Sequence, residues 1–372
     1  MSTQIDHKFM REALRLAEST RGRTSPDPMV GAVIVKGNKI ISKGYHGEFT
    51  TPHAETYAIH KAGKKAKGAT LYVNLEPCCH WGNNPPCTMA IIRSGIKRVV
   101  VGTKDPNPLV SGKGIKELRQ AGIKVDIGIL EEKAIKLNEA FNKHIITGIP
   151  FITVKYAMSI DGKIATSTGE SKYISNAESR IRVHKIRSQN DAIMVGVNTV
   201  IKDDPSLTVR LPGKKIKNQP IRIVLDSMAR TPIRSNILSK KDSRTIIVVS
   251  SKAPINKVKN LEKAGGQVLI GKKGKKGRVS MLNLVKELGQ RGIISIMIEG
   301  GGETNAAAIE ADIVDKIICF ITPKIIGGRY SKTPVEGIGI KSLKNMIQLD
   351  HVKIERINHD TYIEGYIRKQ EN

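Results

Sequence analysis

The apolar positions of the first 145 residues alternate between helical and strand spacing. Phe9, Met10, Ala13, Leu14 and Ala17 fall on one helical face. Val30–Val35 and Ile40–Tyr45 are short apolar runs around Gly37-Asn38, the signal of a hairpin. A helix is predicted from near His53 to Ala62, a strand over Thr70–Asn74, and a helix over Met89–Ser94 after Pro85-Pro86. Arg98–Gly102 reads as a buried strand, Ile115–Ala121 as a helix ended by Gly122, Val125–Leu130 as a strand and Glu131–Phe141 as a helix. Gly148-Ile149-Pro150 interrupts the pattern, so a boundary is placed there, with domains over 1–147 and 148–372.

The second half restarts the alternation. Strands are predicted over Phe151–Ala157, Ala192–Val195, Ile221–Leu225, Thr245–Val249, Ile293–Ile298 and Lys316–Ile321, with more strand within Val352–Ile367. Helices are predicted over Ala177–Ile186, Met281–Leu288 and, after Gly300-Gly301-Gly302, Glu303–Ala311. Alternation of this kind predicts two α/β domains.

Composition narrows the class. Hydrophobic residues make up 39 % of the 372 residues, enough for packed cores, so a disordered chain is excluded. Four cysteines are too few for a disulfide scaffold and fit a reducing compartment, hence an expected cytoplasmic location. No apolar run approaches the roughly 18 residues of a membrane span. Lys plus Arg is 62 against 34 Asp plus Glu, a formal charge of +28, which invites a nucleic-acid reading. However, Lys outnumbers Arg by 42 to 20, much of it in loops such as 271–277, and aromatic residues that stack on bases are only 4 % of the chain. The charge is therefore expected to be a solvated surface, with no nucleic-acid or membrane partner.

Chemistry concentrates first at His53-Ala54-Glu55, Glu76-Pro77-Cys78-Cys79-His80 and Cys87. One imidazole (His53) and two thiolates (Cys78, Cys87) suit a zinc site with an open fourth position. Glu55 can reach the same water without ligating the metal and shuttle its proton to a leaving ammonia. Cys87, at an expected helix start, gains from the helix dipole as a thiolate. The pattern matches the zinc-deaminase signature, a His-x-Glu followed by a Pro-Cys pair, except that eight residues rather than two separate the cysteines. A closed structural site that adds Cys79 is the alternative, and His80 is an alternative ligand. Cys79 otherwise reads as a packed thiol and Cys319 as a core residue.

The ordered set of motifs is specific. It runs from Thr24-Ser25-Pro26-Asp27-Pro28-Met29-Val30-Gly31 through His53-Ala54-Glu55 to the segment Glu76-Pro77-Cys78-Cys79-His80-Trp81-Gly82-Asn83-Asn84-Pro85-Pro86-Cys87. Lys155-Tyr156-Ala157-Met158-Ser159-Ile160-Asp161-Gly162, Asp203-Asp204-Pro205-Ser206-Leu207-Thr208-Val209-Arg210 and Glu299-Gly300-Gly301-Gly302 follow. Across nearly the whole chain it resembles the bifunctional riboflavin-biosynthesis deaminase/reductase family. The resemblance implies a cytidine-deaminase-like three-layer domain followed by a dihydrofolate-reductase-like α/β domain. It implies zinc-dependent deamination of a diaminopyrimidinone ribosylamino phosphate, then NADPH-dependent reduction of the ribosyl chain to ribityl. His53, Cys78 and Cys87 would hold one zinc, with Glu55 as proton shuttle. Ala157, Tyr173, Thr199, Asp203, Ser227, Gly301, Gly302, Glu303, Thr304, Asn305, Ala306 and Ala307 would line the NADPH site. Ser171, Arg187, Leu207, Arg210 and Glu299 would contact substrate, and Lys155 is a further substrate-side candidate.

The physics agrees with that carry-over. Arg187 and Arg210 can fork a phosphate, and the glycine turn before a helix suits one too. The glycine run lacks the dinucleotide fingerprint spacing, which argues against a Rossmann domain. Three departures from the family pattern stand out: Asp27 in place of Asn, Cys79 in place of Ser, and Asn83-Asn84 in place of a basic residue and Thr. A missing cation and an added anion are expected to raise the deaminase KM while leaving the zinc chemistry intact. Two rivals remain, a nucleic-acid deaminase and a nucleic-acid-binding protein with structural zinc. The first is at odds with the cysteine spacing and the second domain. Sequence leaves a homo-oligomer open.

Overall fold

The computed structural model describes residues 4–82, 84–213, 216, 218–239, 242–274 and 277–368. The chain forms two compact units, Met1–Ile149 and Pro150–Asn372.

Unit 1 runs α1 (Gln4–Glu18), β1 (Gly31–Lys36), β2 (Lys39–Tyr45), α2 (Ala54–Ala62), β3 (Thr70–Leu75), α3 (Cys87–Arg93), β4 (Arg98–Thr103), α4 (Lys113–Gln120), β5 (Lys124–Ile127), α5 (Glu131–Leu137) and α6 (Glu139–Thr147). Its sheet order is β2-β1-β3-β4-β5. β1 is antiparallel to β2 and β3, and β3, β4 and β5 are parallel. Gly37 and Asn38 both take positive φ, the geometry of a two-residue hairpin turn. Strand β1 shows why the unit has three layers. Ala32 and Ile34 point into a core shared with α2, α3 and α4, while Val33 and Val35 point to the opposite core with Phe9 and Met10 of α1.

Two expectations change in unit 1. Leu16, not Leu14, completes the buried face of α1. The helix expected over Glu131–Phe141 breaks at Asn138 and resumes to Thr147. Asn138 leaves the helical path because its amide holds the chain before β1. Its Oδ1 accepts from Met29 N at 2.8 Å and its Nδ2 donates to Met29 O at 3.0 Å.

Unit 2 runs β6 (Phe151–Ser159), α7 (Ala177–Arg187), β7 (Ala192–Gly196), α8 (Val197–Asp203), β8 (Ile221–Leu225), α9 (Asn236–Ser239), β9 (Thr245–Val249), α10 (Ile255–Lys263), β10 (Gln267–Ile270), α11 (Met281–Gln290), β11 (Ser295–Ile298), α12 (Gly302–Glu310), β12 (Lys316–Thr322), β13 (Leu349–Ile357) and β14 (Asp360–Ile367). The nine-stranded sheet has the order β10-β9-β8-β7-β11-β6-β12-β14-β13, and only β14 runs antiparallel to its neighbours, β12 and β13. β11 returns from the far edge to lie between β7 and β6. The chain therefore leaves the C-terminal ends of neighbouring parallel strands in opposite directions, which opens a crevice there. Helices α8, α9 and α10 and strand β10 were not expected from the pattern. α10 buries only Val258 and Leu261 and β10 has four residues, too little periodicity to register.

Candidate active sites

In unit 1, the turn between β2 and α2 carries His53 at the cap of α2, with Glu55 in its first turn. Glu76-Pro77-Cys78 leaves the end of β3, and Cys87 opens α3. His53 Nδ1 lies 3.2 Å from Cys87 Sγ and 3.5 Å from Cys78 Sγ, and the three ligand atoms lie within 4.8 Å of one another. Zinc bonds of about 2.0–2.1 Å to nitrogen and about 2.3 Å to sulfur place tetrahedral ligand atoms about 3.5–3.8 Å apart, so these donors fit zinc. Their proton affinities are linked, and the hydrogen bond to Cys78, then burial, push the Cys87 thiol well up, against the thiolate expected from its place at the start of α3. Hydrogen bonds from Cys87 and His53 pull Cys78 down to about 4 against its burial, and the bond to Cys78 pulls His53 up to about 9. Two sulfurs and an imidazole competing for a proton form a donor set that favours a cation.

Glu55 is only 4 % exposed, and burial, then the charge of Cys78, push its carboxyl up. The framework around it is held by Glu76. Its carboxylate accepts from the backbone N–H groups of Asp105, Gly112 and Ile115, which ties the β4–α4 loop under the cysteine segment. Cys79 and His80 stand outside the three-ligand group. Burial raises the Cys79 thiol, and Cys79 Sγ reaches toward Leu109 O at 4.0 Å. His80 Nδ1 is buried with no hydrogen-bond partner among the described residues. Asp27 is not a free anion. Its Oδ2 lies 3.0 Å from His46 Nε2, and the His46 ring packs edge-on against His53 with centroids 5.5 Å apart. Sequence reasoning missed His46. Asn84 Nδ2 donates to Thr51 O at 3.3 Å, and Asn83 lies outside the described residues.

In unit 2, a cavity of about 340 Å³ opens at the C-terminal ends of β6, β7 and β11. It brings together Lys155 and Ala157 of β6, Ser171, Tyr173, Arg187 of α7, Thr199 and Asp203 of α8, Arg210, Glu299 and Gly301. Leu207, Ser227 and Gly302–Ala307 are outside its lining. Leu207 is buried, Ser227 O accepts from the N–H and hydroxyl of Ser250, and Asn305 is buried in α12. A Cβ on Gly301 would meet nothing within 4 Å, so the backbone turn ahead of α12 is open to a ligand, as a phosphate-bearing cofactor requires.

The centre of the cavity is ionic. Arg187 donates from Nε to Glu299 Oε1 at 2.5 Å and from Nη2 to Oε2 at 3.0 Å, and Lys155 Nζ lies 3.5 Å from Oε2. Burial alone would raise the Glu299 carboxyl, yet Arg187 and Lys155 hold it at about 2. Burial also lowers the affinity of Lys155 for its proton. The fork of Arg187 is thus occupied by Glu299, whereas Arg210 is exposed and in no ion pair among the described residues. Ser171 Oγ donates to Asp203 Oδ1 at 3.2 Å, and the Arg180 guanidinium lies over the Tyr173 ring at 4.5 Å. Tyr156, Arg180 and His184 also line the cavity and were missed in the sequence. His184 sits three residues before Arg187, the spacing of one helix face, which was the available signal. Cys319 is buried within β12, as expected.

Residues 3–103 match the cytidine and deoxycytidylate deaminase zinc-binding region, and residues 150–363 match the RibD C-terminal domain. The riboflavin biosynthesis protein RibD of Aquifex aeolicus is 46 % identical over 98 % of this chain and 99 % of its own length. That of Escherichia coli is 40 % identical over 87 % of this chain and 89 % of its own. A solved structure of RibD from Acinetobacter baumannii superposes with a TM-score of 0.88 at 33 % identity, covering 98 % of this chain and 99 % of that one. A diaminohydroxyphosphoribosylaminopyrimidine deaminase/5-amino-6-(5-phosphoribosylamino)uracil reductase from Thermotoga maritima gives 0.85 at 35 % identity, with the same coverage. The two-domain α/β fold, the zinc-binding deaminase unit and the reductase unit thus occur in one order along one chain, which belongs to the RibD family of bifunctional riboflavin-biosynthesis enzymes.

Proposed function

We propose that unit 1 hydrolyses the 2-amino group of 2,5-diamino-6-(5-phosphoribosylamino)pyrimidin-4-one and that unit 2 reduces the resulting ribosylaminouracil phosphate to its ribityl form with NADPH. The observation that carries this reading is the pairing of two constellations in one chain. One is the His53–Cys78–Cys87 donor set beside buried Glu55, and the other is the cavity around Lys155, Glu299 and Arg187.

In unit 1, His53, Cys78 and Cys87 would hold the zinc, which when bound would supply Lewis acidity that activates water at neutral pH. Glu55 would move the two protons of the attacking water in turn, one to the ring nitrogen and one to the departing amino nitrogen, so that the C–N bond breaks, ammonia leaves and a carbonyl beside a protonated ring nitrogen remains. Its raised proton affinity suits both halves of that exchange. His46 stands between Asp27 and His53 at the edge of the donor set.

In unit 2, Ala157, Tyr173, Thr199, Asp203 and the Gly301 turn would hold NADPH, which when bound supplies the hydride. The cavity would hold the sugar between Ser171, Lys155 and Glu299, and Arg210 completes the substrate side. No protein nucleophile is needed, only placement. Lys155 is the only ammonium among the described lining residues, and its lowered proton affinity suits a donor to the opening sugar.

The chain works in the cytoplasm as a homo-oligomer. Its thiols support the location, and no helix among the described residues is long and apolar enough to cross a membrane. Edge strand β13 supports the oligomer. Val352 and Ile354 are 49 % and 65 % exposed on it, and an antiparallel second copy centred on Ile354 sets Lys353 opposite Glu355. Ile354→Lys should lower the mass seen by light scattering; an unchanged mass removes this edge from the interface.

The decisive assay supplies the diamino substrate with NADPH and follows ammonia release and NADPH oxidation separately. Oxidation that waits for deamination is expected. Absence of both signals overturns the assignment.

A further inference from the structure

Residues 204–210 pass along the reductase cavity in no regular secondary structure, yet Asp203 and Arg210 at the two ends both line it. Backbone outside a helix or ladder must find other partners. Here side chains of other elements supply them. Arg187 Nη1 donates to Thr208 O at 3.2 Å. Gln219 accepts from Val209 N at 2.7 Å and donates to Val209 O at 3.1 Å. Asn236 bonds both the backbone and the carboxylate of Asp204. Arg210 N donates to His184 Nδ1 at 3.3 Å.

The segment does not rest in this shape by preference. Leu207 has φ +50 and is 3 % exposed, a left-handed conformation that is unfavourable for a branched side chain. Strain of this kind persists only where surrounding contacts over-determine it. Val209, directly beside Arg210, is already fixed on both of its backbone groups. What remains to be set is the direction in which the chain presents Arg210.

We propose that His184 is a positioning residue of the reductase site, which through its bond to Arg210 N–H aims the free Arg210 guanidinium at the phosphate of the substrate. This rests on the reductase reading above and deepens it. Three observations support it. His184 and Arg187 lie one turn apart on α7, so one helix carries both the ion-paired arginine and the anchor of the free one. Arg187 is committed to Glu299 and Thr208 O, and Arg180 to Ser175 O and the Tyr173 ring, which leaves Arg210 as the cation for an incoming anion. The imidazole also keeps its acceptor lone pair. Burial, then Arg187 and Arg210, hold it at about 4, against the opposing pull of Glu299 and the Thr208 backbone, so Nδ1 accepts throughout the neutral range.

The test compares four variants in the full-length enzyme: His184→Ala, His184→Asn, Arg210→Ala and the double variant with both alanines. NADPH oxidation is measured with supplied ribosylaminouracil phosphate, and ammonia release by the deaminase site of the same chain normalises for folded enzyme. Arg210→Ala should raise the reductase KM about tenfold to a hundredfold, the range for a lost charge-assisted contact. His184→Ala should raise the same KM about threefold to tenfold at nearly constant kcat. His184→Asn, whose Oδ1 falls where Nδ1 sits, should recover most of that loss. His184→Ala placed on Arg210→Ala should add nothing, because the histidine acts through the arginine. A KM unmoved by Arg210→Ala overturns the phosphate reading of Arg210 itself. A normal Arg210 effect with additive histidine and arginine losses, or no recovery with Asn, overturns the positioning role alone.

Discussion

Glu55 owes its proton affinity to two neighbours of different kinds, the apolar packing that buries it and the charge on Cys78. Glu55→Gln keeps the shape and removes the base. Ammonia release should fall by about 10²–10⁴-fold, the usual worth of a positioned acid–base group. Zinc content by elemental analysis and NADPH oxidation with deaminated substrate should both hold. Loss of the metal would return Cys79 and a structural zinc site to consideration. Asp27 presents a subtler case. Sequence alone reads it as an added anion beside a phosphorylated substrate, whereas the structure gives its carboxylate to His46. Asp27→Asn keeps an acceptor for His46 and removes the charge, so the deaminase KM should fall several-fold, as should that of Asn83→Lys, which adds the cation. If neither variant shifts KM, these departures from the family pattern have no part in binding.

At the scale of elements, the metal site depends on how closely α2 lies on the sheet. A Cβ at Gly44 would stand 2.1 Å from Ala54 O and 2.8 Å from Ala58 N, both backbone atoms of α2. Neither can move without shifting the helix start that carries His53 and Glu55. Gly44→Ala should therefore cost about 1–3 kcal/mol. Unit 1 should melt several degrees lower in calorimetry, at about 2–4 °C per kcal/mol, and should retain less zinc after dialysis. Wild-type melting and zinc retention would show that α2 can slide. The legibility of elements follows the same logic of contacts. β1 and β3 announce themselves because every position but a terminal one is buried. The break at Asn138 was invisible because its cause, Met29, is 109 residues away. The grouping of His53, Cys78 and Cys87 was legible because coordination calls for particular residue types at particular spacings. His184, Gln219 and His46 were not, since each acts by a hydrogen bond whose partner only the fold brings near.

On the scale of the whole molecule, the charge of +28 acquires a use without nucleic acid. Both compounds that unit 2 is proposed to bind carry phosphate. Lys155, Arg180, Arg187 and Arg210 line its cavity, against Asp203 and Glu299. Glu299 is already matched by Arg187 and Lys155, so the field at the mouth is set by Arg180, Arg210 and the lysine-rich surface beyond. Such a field raises the encounter rate of anions and leaves the chemistry after binding untouched. Raising salt from about 0.01 M to about 0.1 M shortens the screening length from about 30 Å to about 10 Å. Over that range kcat/KM for NADPH oxidation should fall several-fold while kcat stays constant. Arg210→Ala should flatten part of the slope, and lysine substitutions far from the cavity should each flatten it slightly. A kcat/KM indifferent to salt would mean that the surface charge is unrelated to substrate capture. RNA that competes with substrate only weakly, and loses even that competition at about 0.1 M salt, would place its binding in the same diffuse field.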